Sequence, residues 1–138
     1  MFLLDTDTLS LMQQGHALVL QNVNRHPVAD IAVSVISIQE QMQGFQAATN
    51  RAADHRQLAS AYDMLATRLL PIWSRFPTQS FTEPAIVRFE YLRSLRLNVG
   101  SMDLRIAAIA LENGSIVVTR NRRDFGRVPG VVTEDWAS

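Results

Sequence analysis

The sequence predicts an α/β domain whose central sheet is mostly parallel and covered by helices on both faces. Three observations predict it. Short apolar runs at 2–4, 31–36 and 116–119, the last two rich in β-branched residues, alternate with helix-length segments. Those runs are apolar throughout rather than alternating, as strands buried on both faces are. The chain has 138 residues, 47% of them hydrophobic and 19% charged, which suits one folded domain spanning 1–138.

In order, residues 2–4 form a buried strand ending at Asp5. Helices follow over 6–14, stopped by Gly15, and over 16–25, stopped by Pro27. The run 31–36 is the second strand and 37–48 the third helix. A fourth helix over 51–70 places Leu58, Tyr62, Leu65 and Leu69 on one face. Pro71 and Pro77 bracket a connection that leads to a short strand at 79–81. Thr82 caps the next helix, with Pro84 just inside it and Ile86, Phe89, Leu92 and Leu95 facing a core. Ser101 caps the helix 102–113, which is apolar nearly all round and therefore deeply buried, and Gly114 closes it. Strands at 116–119 and, more briefly, 131–132 complete the chain.

Composition excludes several chemistries. With no cysteine there is no disulfide, thiolate metal site or Cys nucleophile. All 13 basic residues are arginine, so mechanisms that need a lysine are excluded too. The 13 acids balance them, leaving no basic excess of the kind that marks many nucleic-acid binders. His16, His26 and His55 lack metal-ligand spacing and are assigned to surface helices. No apolar run is long enough for a membrane span, and the first residues do not read as a signal peptide, so a cytoplasmic protein is expected.

Ligands in open α/β sheets bind at the carboxyl ends of the strands. The acids expected there are Asp5 and Asp7 after the first strand, Glu40 after the second, Asp103 in the first turn of the buried helix, and Asp124 near Asn121 after the 116–119 strand. Each has a plainer reading. Asp5 or Thr6 can cap a helix, Glu40 can complete a capping box with Ser37, Asp103 suits a helix dipole, Asp124 a turn, and Asp7 a solvated first turn. Convergence argues for more. Two carboxylates about 5 Å apart repel by roughly 3 kcal/mol at an effective dielectric of 20. A cluster of them calls for a counter-charge, and Mg²⁺ or Mn²⁺ prefers such oxygen ligands. Such a centre suits phosphoryl chemistry. Arg120, Arg122, Arg123 and Arg127 lie close by in sequence, as a local phosphate guide or as a solvated basic loop.

The motifs Leu3-Leu4-Asp5-Thr6, Ile36-Ser37-x-x-Glu40-x-x-x-Gly44, Asp103-Leu104-x-Ile106-Ala107-Ala108-x-Ala110, Val118-Thr119-x-Asn121-x-x-Asp124-Phe125-x-Arg127-Val128-Pro129-Gly130 and Glu134-Asp135-Trp136 occur in this order along the chain. Together they resemble the PIN-domain proteins, in particular the VapC toxins of VapBC toxin–antitoxin pairs. The resemblance implies a three-layer α/β/α PIN-like fold and Mg²⁺-dependent cleavage of structured RNA, commonly transfer RNA, leaving 5′-phosphate and 3′-hydroxyl ends. It also implies a homodimer and inhibition by a cognate VapB-like antitoxin. Carried over by position, Asp5, Glu40 and Asp103 match the three core acids. Asp124 is favoured as the fourth with Asn121 supporting it, and Thr6 and Thr119 are supporting hydroxyls. Position 7, commonly Asn in the family, is Asp here. An antitoxin groove lined by Leu9, Met12, Leu18 and Met42 is weighed against ordinary core packing. A binding module with a dead site, RNA-binding or antitoxin-binding only, is disfavoured because all the core acids are present, and two further alternatives stand beside the toxin reading. One is a housekeeping PIN-domain RNA-processing nuclease. The other is an Asp-nucleophile phosphatase of haloacid-dehalogenase type, suggested by Asp5-x-Asp7-x-Thr and disfavoured by the missing lysine.

Overall fold

A computed structural model describes all residues, 1–138. Five strands form one wholly parallel sheet: β1 Phe2–Leu4, β2 Ile31–Ser34, β3 Thr78–Gln79, β4 Ile116–Val118 and β5 Thr133–Glu134, in the order β3-β2-β1-β4-β5. Alternate side chains of the central strands face opposite ways, as the pleat requires. Leu3, Ala32 and Val117 join one buried cluster, beneath α6 Glu83–Ser94 and α7 Ser101–Asn113. Leu4, Val33 and Val118 join the other, beneath α1 Thr6–Gln13 and α2 Ala17–Asn24. The predicted three layers are present. The apolar α7 is the deepest helix, with Leu104 and the run from Ile106 to Ala110 buried, and Gly114 ends it at φ +65°.

Several boundaries differ from expectation, each for a local reason. β2 stops at Ser34, whose hydroxyl accepts from the Ser37 N–H at 3.1 Å and caps α3 Val35–Arg51. That displaces Ser37 from the cap and removes the capping box with Glu40. α4 His55–Met64 starts later than predicted because Asp54 caps it. It runs through a π-helical turn, Leu65–Leu69, into α5 Leu70–Arg75, so Pro71 lies inside the helix rather than in a connection. Pro71 has no N–H, and its ring would collide with the carbonyl of Thr67 in a regular helix. The widened turn, in which the Leu70 N–H reaches the Leu65 carbonyl, accommodates it. Gly100, not Ser101, occupies the cap position of α7, while the Ser101 hydroxyl accepts from Arg105. β3 and β5 are each offset by one or two residues from the predicted runs because their register on β2 and β4 decides what pairs.

Burial corrects four further expectations. Leu9 and Met12 belong to the core and line no groove, whereas Leu18 and Met42 are exposed. Leu58 and Tyr62 are exposed, with Ala61 and Leu69 the buried residues of their helix. Leu95 is exposed and Ala85 takes its place in the core. His26 is not free on a helix surface but stacks on Trp136 with ring centres 5.0 Å apart. No helix is long and apolar enough to cross a membrane.

Candidate active site

The strand order makes β1 the turning point of the sheet. The chain first builds outward through β2 and β3, then crosses to β4 on the other side of β1. A crevice opens at the carboxyl ends of strands at such a point. Here it is a cleft of about 610 Å³ with no hydrophobic residue in its lining. Asp5, Asp7, Glu40 and Asp103 supply four carboxylates to it, and Thr6, Ser10, Asn121 and Arg120 complete the wall.

Asp5 follows β1 directly and is buried. Its backbone N–H donates to the Val118 carbonyl at 3.0 Å, which continues the ladder to β4. Its side chain caps α1, accepting from the Thr8 N–H at 2.8 Å. The plainer reading of this residue is therefore correct as well as its placement in the cleft. Burial pushes its carboxyl above the ordinary range, against hydrogen bonds from Thr119 and Thr8 that favour the ion.

Glu40 lies on the second turn of α3 and reaches across to α1, where it accepts from Thr6 Oγ1 at 2.6 Å. Thr6 Oγ1 also lies 2.9 Å from Ser37 Oγ, which in turn lies 3.3 Å from Ser34 Oγ. Each hydroxyl has one proton and an ionised carboxylate only accepts. The donations therefore run one way, from Ser34 through Ser37 and Thr6 to Glu40, and this file of hydroxyls fixes Glu40 Oε1.

Asp103 sits in the first turn of α7, facing the acids from the other wall. Its carboxyl is pushed up to about 6, first by burial and then by the charges of Asp5, Glu40, Asp124 and Asp7. The Arg side chain in the lining, Arg120, is held by Asp7, with Nε to Oδ2 at 2.7 Å and Nη2 to Oδ1 at 3.0 Å. Asp7 is thus ion-paired rather than simply solvated. No group of three or more Asp, Glu or His side chains is arranged to hold a metal ion in this structure. Asp5 has an oxygen on the Thr8 N–H, and Glu40 has one on Thr6.

The fourth predicted acid is placed differently. Asn121 lines the cleft, whereas Asp124 does not. Asn121 caps the short helix α8 Arg122–Phe125, and that turn carries Asp124 back toward Arg127. Asp124 accepts from Asn121 Nδ2 and from Arg127 Nη1, both at 2.8 Å. Thr119 is buried, and its hydroxyl accepts from the Asn121 N–H at 2.8 Å. The arginines also separate. Arg127 is further fixed on the Asn98 carbonyl, Arg122 reaches Thr133, and of the four only Arg120 faces the acids. Ser10 was missed from sequence. The signal was available, since Thr6 and Ser10 lie four apart on one face of α1.

A parallel sheet in this order, with acids gathered at its turning point, defines a class, and comparison places the chain in it. The PIN-domain family model matches residues 2–131. A Salmonella typhimurium protein, a tRNA(fMet)-specific endonuclease VapC, is 30% identical over 135 residues, which cover 98% of this chain and 97% of that protein. The chain belongs to the PIN-domain family and, within it, to the VapC type of the VapBC toxin–antitoxin systems. Solved structures agree. The DNA-bound VapBC of Salmonella typhimurium is 26% identical with a TM-score of 0.72, covering 98% of this chain and 97% of that one. FitAcB from Neisseria gonorrhoeae shares the fold over the full length of both chains, with a TM-score of 0.76 at 22% identity.

Proposed function

We propose that this protein is a divalent-cation-dependent endoribonuclease, the toxin of a type II toxin–antitoxin pair, which hydrolyses structured RNA, transfer RNA in particular, and so inhibits translation. The observation that carries the reading is the gathering of Asp5, Glu40 and Asp103 in one polar cleft with no cationic side chain paired to any of them. The tRNA(fMet)-specific activity named for the Salmonella relative supports the substrate class.

The donor set suits a hard cation in kind and charge. It is carboxylate oxygen with neutral hydroxyl and amide neighbours, and the Asp103 carboxyl is raised by burial first and then by the charges of the acids that face it. Asp5 and Asp103 would hold Mg²⁺ or Mn²⁺, with Glu40 beside them. Asp124 would act from behind, keeping Asn121 and Arg127 in place. A bound divalent ion supplies Lewis acidity at a phosphodiester oxygen and eases deprotonation of water. The protein's share is orientation. With Oε1 of Glu40 engaged by Thr6, Oε2 is left to accept a proton from the attacking water. Water oxygen adds to phosphorus, the P–O3′ bond breaks, the leaving O3′ takes up a proton from solvent, and the strand is left with 5′-phosphate and 3′-hydroxyl ends. Asp7, already paired with Arg120, is poorly placed for the acid–base role a haloacid-dehalogenase phosphatase would need.

A VapB-like antitoxin partner and a homodimer belong to the same reading, as does a cytoplasmic site of action. The antitoxin partner is supported by solved relatives such as the Salmonella VapBC complex. The test is sequencing of RNA ends after induction of the wild type and of Asp103→Asn side by side. Discrete new 5′-phosphate ends in the wild type only are expected. The same ends in both, or in neither, would overturn the assignment.

A further inference from the structure

Asp7 and Arg120 are 113 positions apart and meet at the mouth of the acid-lined cleft. Their contact is two-pronged. Asp7 takes the Nε and one Nη2 hydrogen, so the guanidinium plane is fixed. Arg120 Nη1 has no hydrogen-bond partner in the protein, and the side chain is half exposed. A single salt bridge this exposed contributes little to stability. Its effect is instead to aim a cation. Arg122, Arg123 and Arg127 do not line the cleft, so Arg120 is the guanidinium available to a strand entering it.

We propose that Asp7 is a positioning residue: by gripping one edge of Arg120 it presents the free edge at the cleft mouth, where it takes a phosphodiester oxygen of the RNA strand. This rests on the endoribonuclease reading and names how the substrate is held. It also accounts for an acid standing where it would otherwise only repel RNA. The two roles make opposite predictions. An isolated carboxylate beside a nucleic acid weakens binding, so its removal strengthens binding. A carboxylate that aims an arginine strengthens binding, so its removal weakens it.

The experiment measures binding of a single-stranded RNA oligonucleotide to the cleavage-silenced Asp103→Asn chain, in chelator, over a series of salt concentrations. In that background Arg120→Ala should bind roughly ten-fold more weakly at low salt. The slope of log affinity against log salt should shrink by about 0.7, the loss of one phosphate contact on a single strand. Asp7→Ala should also weaken binding, and Asp7→Asn, which keeps one acceptor, should recover part of the loss. Asp7→Ala added to Arg120→Ala should have no further weakening effect. With Asp103 intact and Mg²⁺ present, Arg120→Ala should raise KM with little change in kcat, because the contact is made before and during reaction alike. Tighter binding by Asp7→Ala, unchanged binding by Arg120→Ala, or no salt-dependent binding by the parent would each overturn the proposal. If instead the wild type cuts no RNA in Mg²⁺ while the binding series behaves as expected, the nuclease reading fails and the role of the pair in holding RNA stands.

Discussion

Asp5 carries two duties at once. It ends the central strand by capping α1 and presents a buried carboxylate to the cleft. Substitutions there separate the two. Asp5→Asn keeps an acceptor for the Thr8 N–H and Asp5→Ala does not, so the alanine variant should be about 1 kcal/mol less stable than the asparagine variant in urea titrations, while both lose RNA cleavage. Asp103 offers a pH test. Its folded carboxyl titrates near 6 against 3.8 for the ordinary group. Between those values the folded state holds more protons than the unfolded one, so stability falls as pH rises through the window. The penalty is absent below the lower value and complete above the higher. Metal-free Asp103→Asn should therefore melt above wild type at pH 7.5 and alongside it near pH 3.5, as thermal scans would show. The acids themselves were legible from sequence, because the ends of apolar strands are easily read. The placing of Asn121 in the cleft wall, with Asp124 outside it, was not. A four-residue helix sets which of them faces the cleft, and no periodicity marks so short a turn.

At the scale of elements, strand and helix types were legible and their edges were not. Ser34 and Ser37 are both sound caps by composition. The register of β2 against β1 settles the matter, since it pairs Val33 with Leu4 and lets α3 begin immediately after Ser34. The π turn was equally hidden, because its cause, Pro71, reads as a helix breaker in a sequence alone. Ser34 has the stronger consequence for the site, since it heads the file of hydroxyls that ends on Glu40. Ser34→Ala should cost about 1 kcal/mol in unfolding free energy, as loss of a helix cap does, and should lower kcat of RNA cleavage through a less constrained Glu40. Ser34→Thr keeps the hydroxyl and should restore kcat if the methyl group is accommodated, which a crystal structure of that variant would check.

For the molecule as a whole, two cores lie on opposite faces of one sheet, and the polar cleft lies beyond the carboxyl ends of its central strands, with no residue of either core in its lining. The layered architecture follows from apolar strands alternating with helices. The order of the strands does not, because it depends on which long-range pairings form. A ligand that binds only the folded chain stabilises it by mass action, about 2.7 kcal/mol at a hundred times its dissociation constant. Mg²⁺ or Mn²⁺ should accordingly raise the melting temperature of the wild type at pH 7.5 and leave Asp103→Asn almost unmoved. Calorimetric titration should show proton release on binding, larger at pH 6 than at pH 8, as Asp103 gives up its proton.

The position of β1 at the middle of the sheet has a consequence for synthesis. Its three residues and one of their two neighbours, Ile116–Val118, are made more than a hundred codons apart. A nascent or prematurely terminated polypeptide that lacks this late strand leaves Phe2–Leu4 with an open flank and Asp5 without the Val118 carbonyl that anchors it. Products of nonsense and frameshift alleles upstream of that codon should therefore fail to show the cooperative thermal transition of the whole chain.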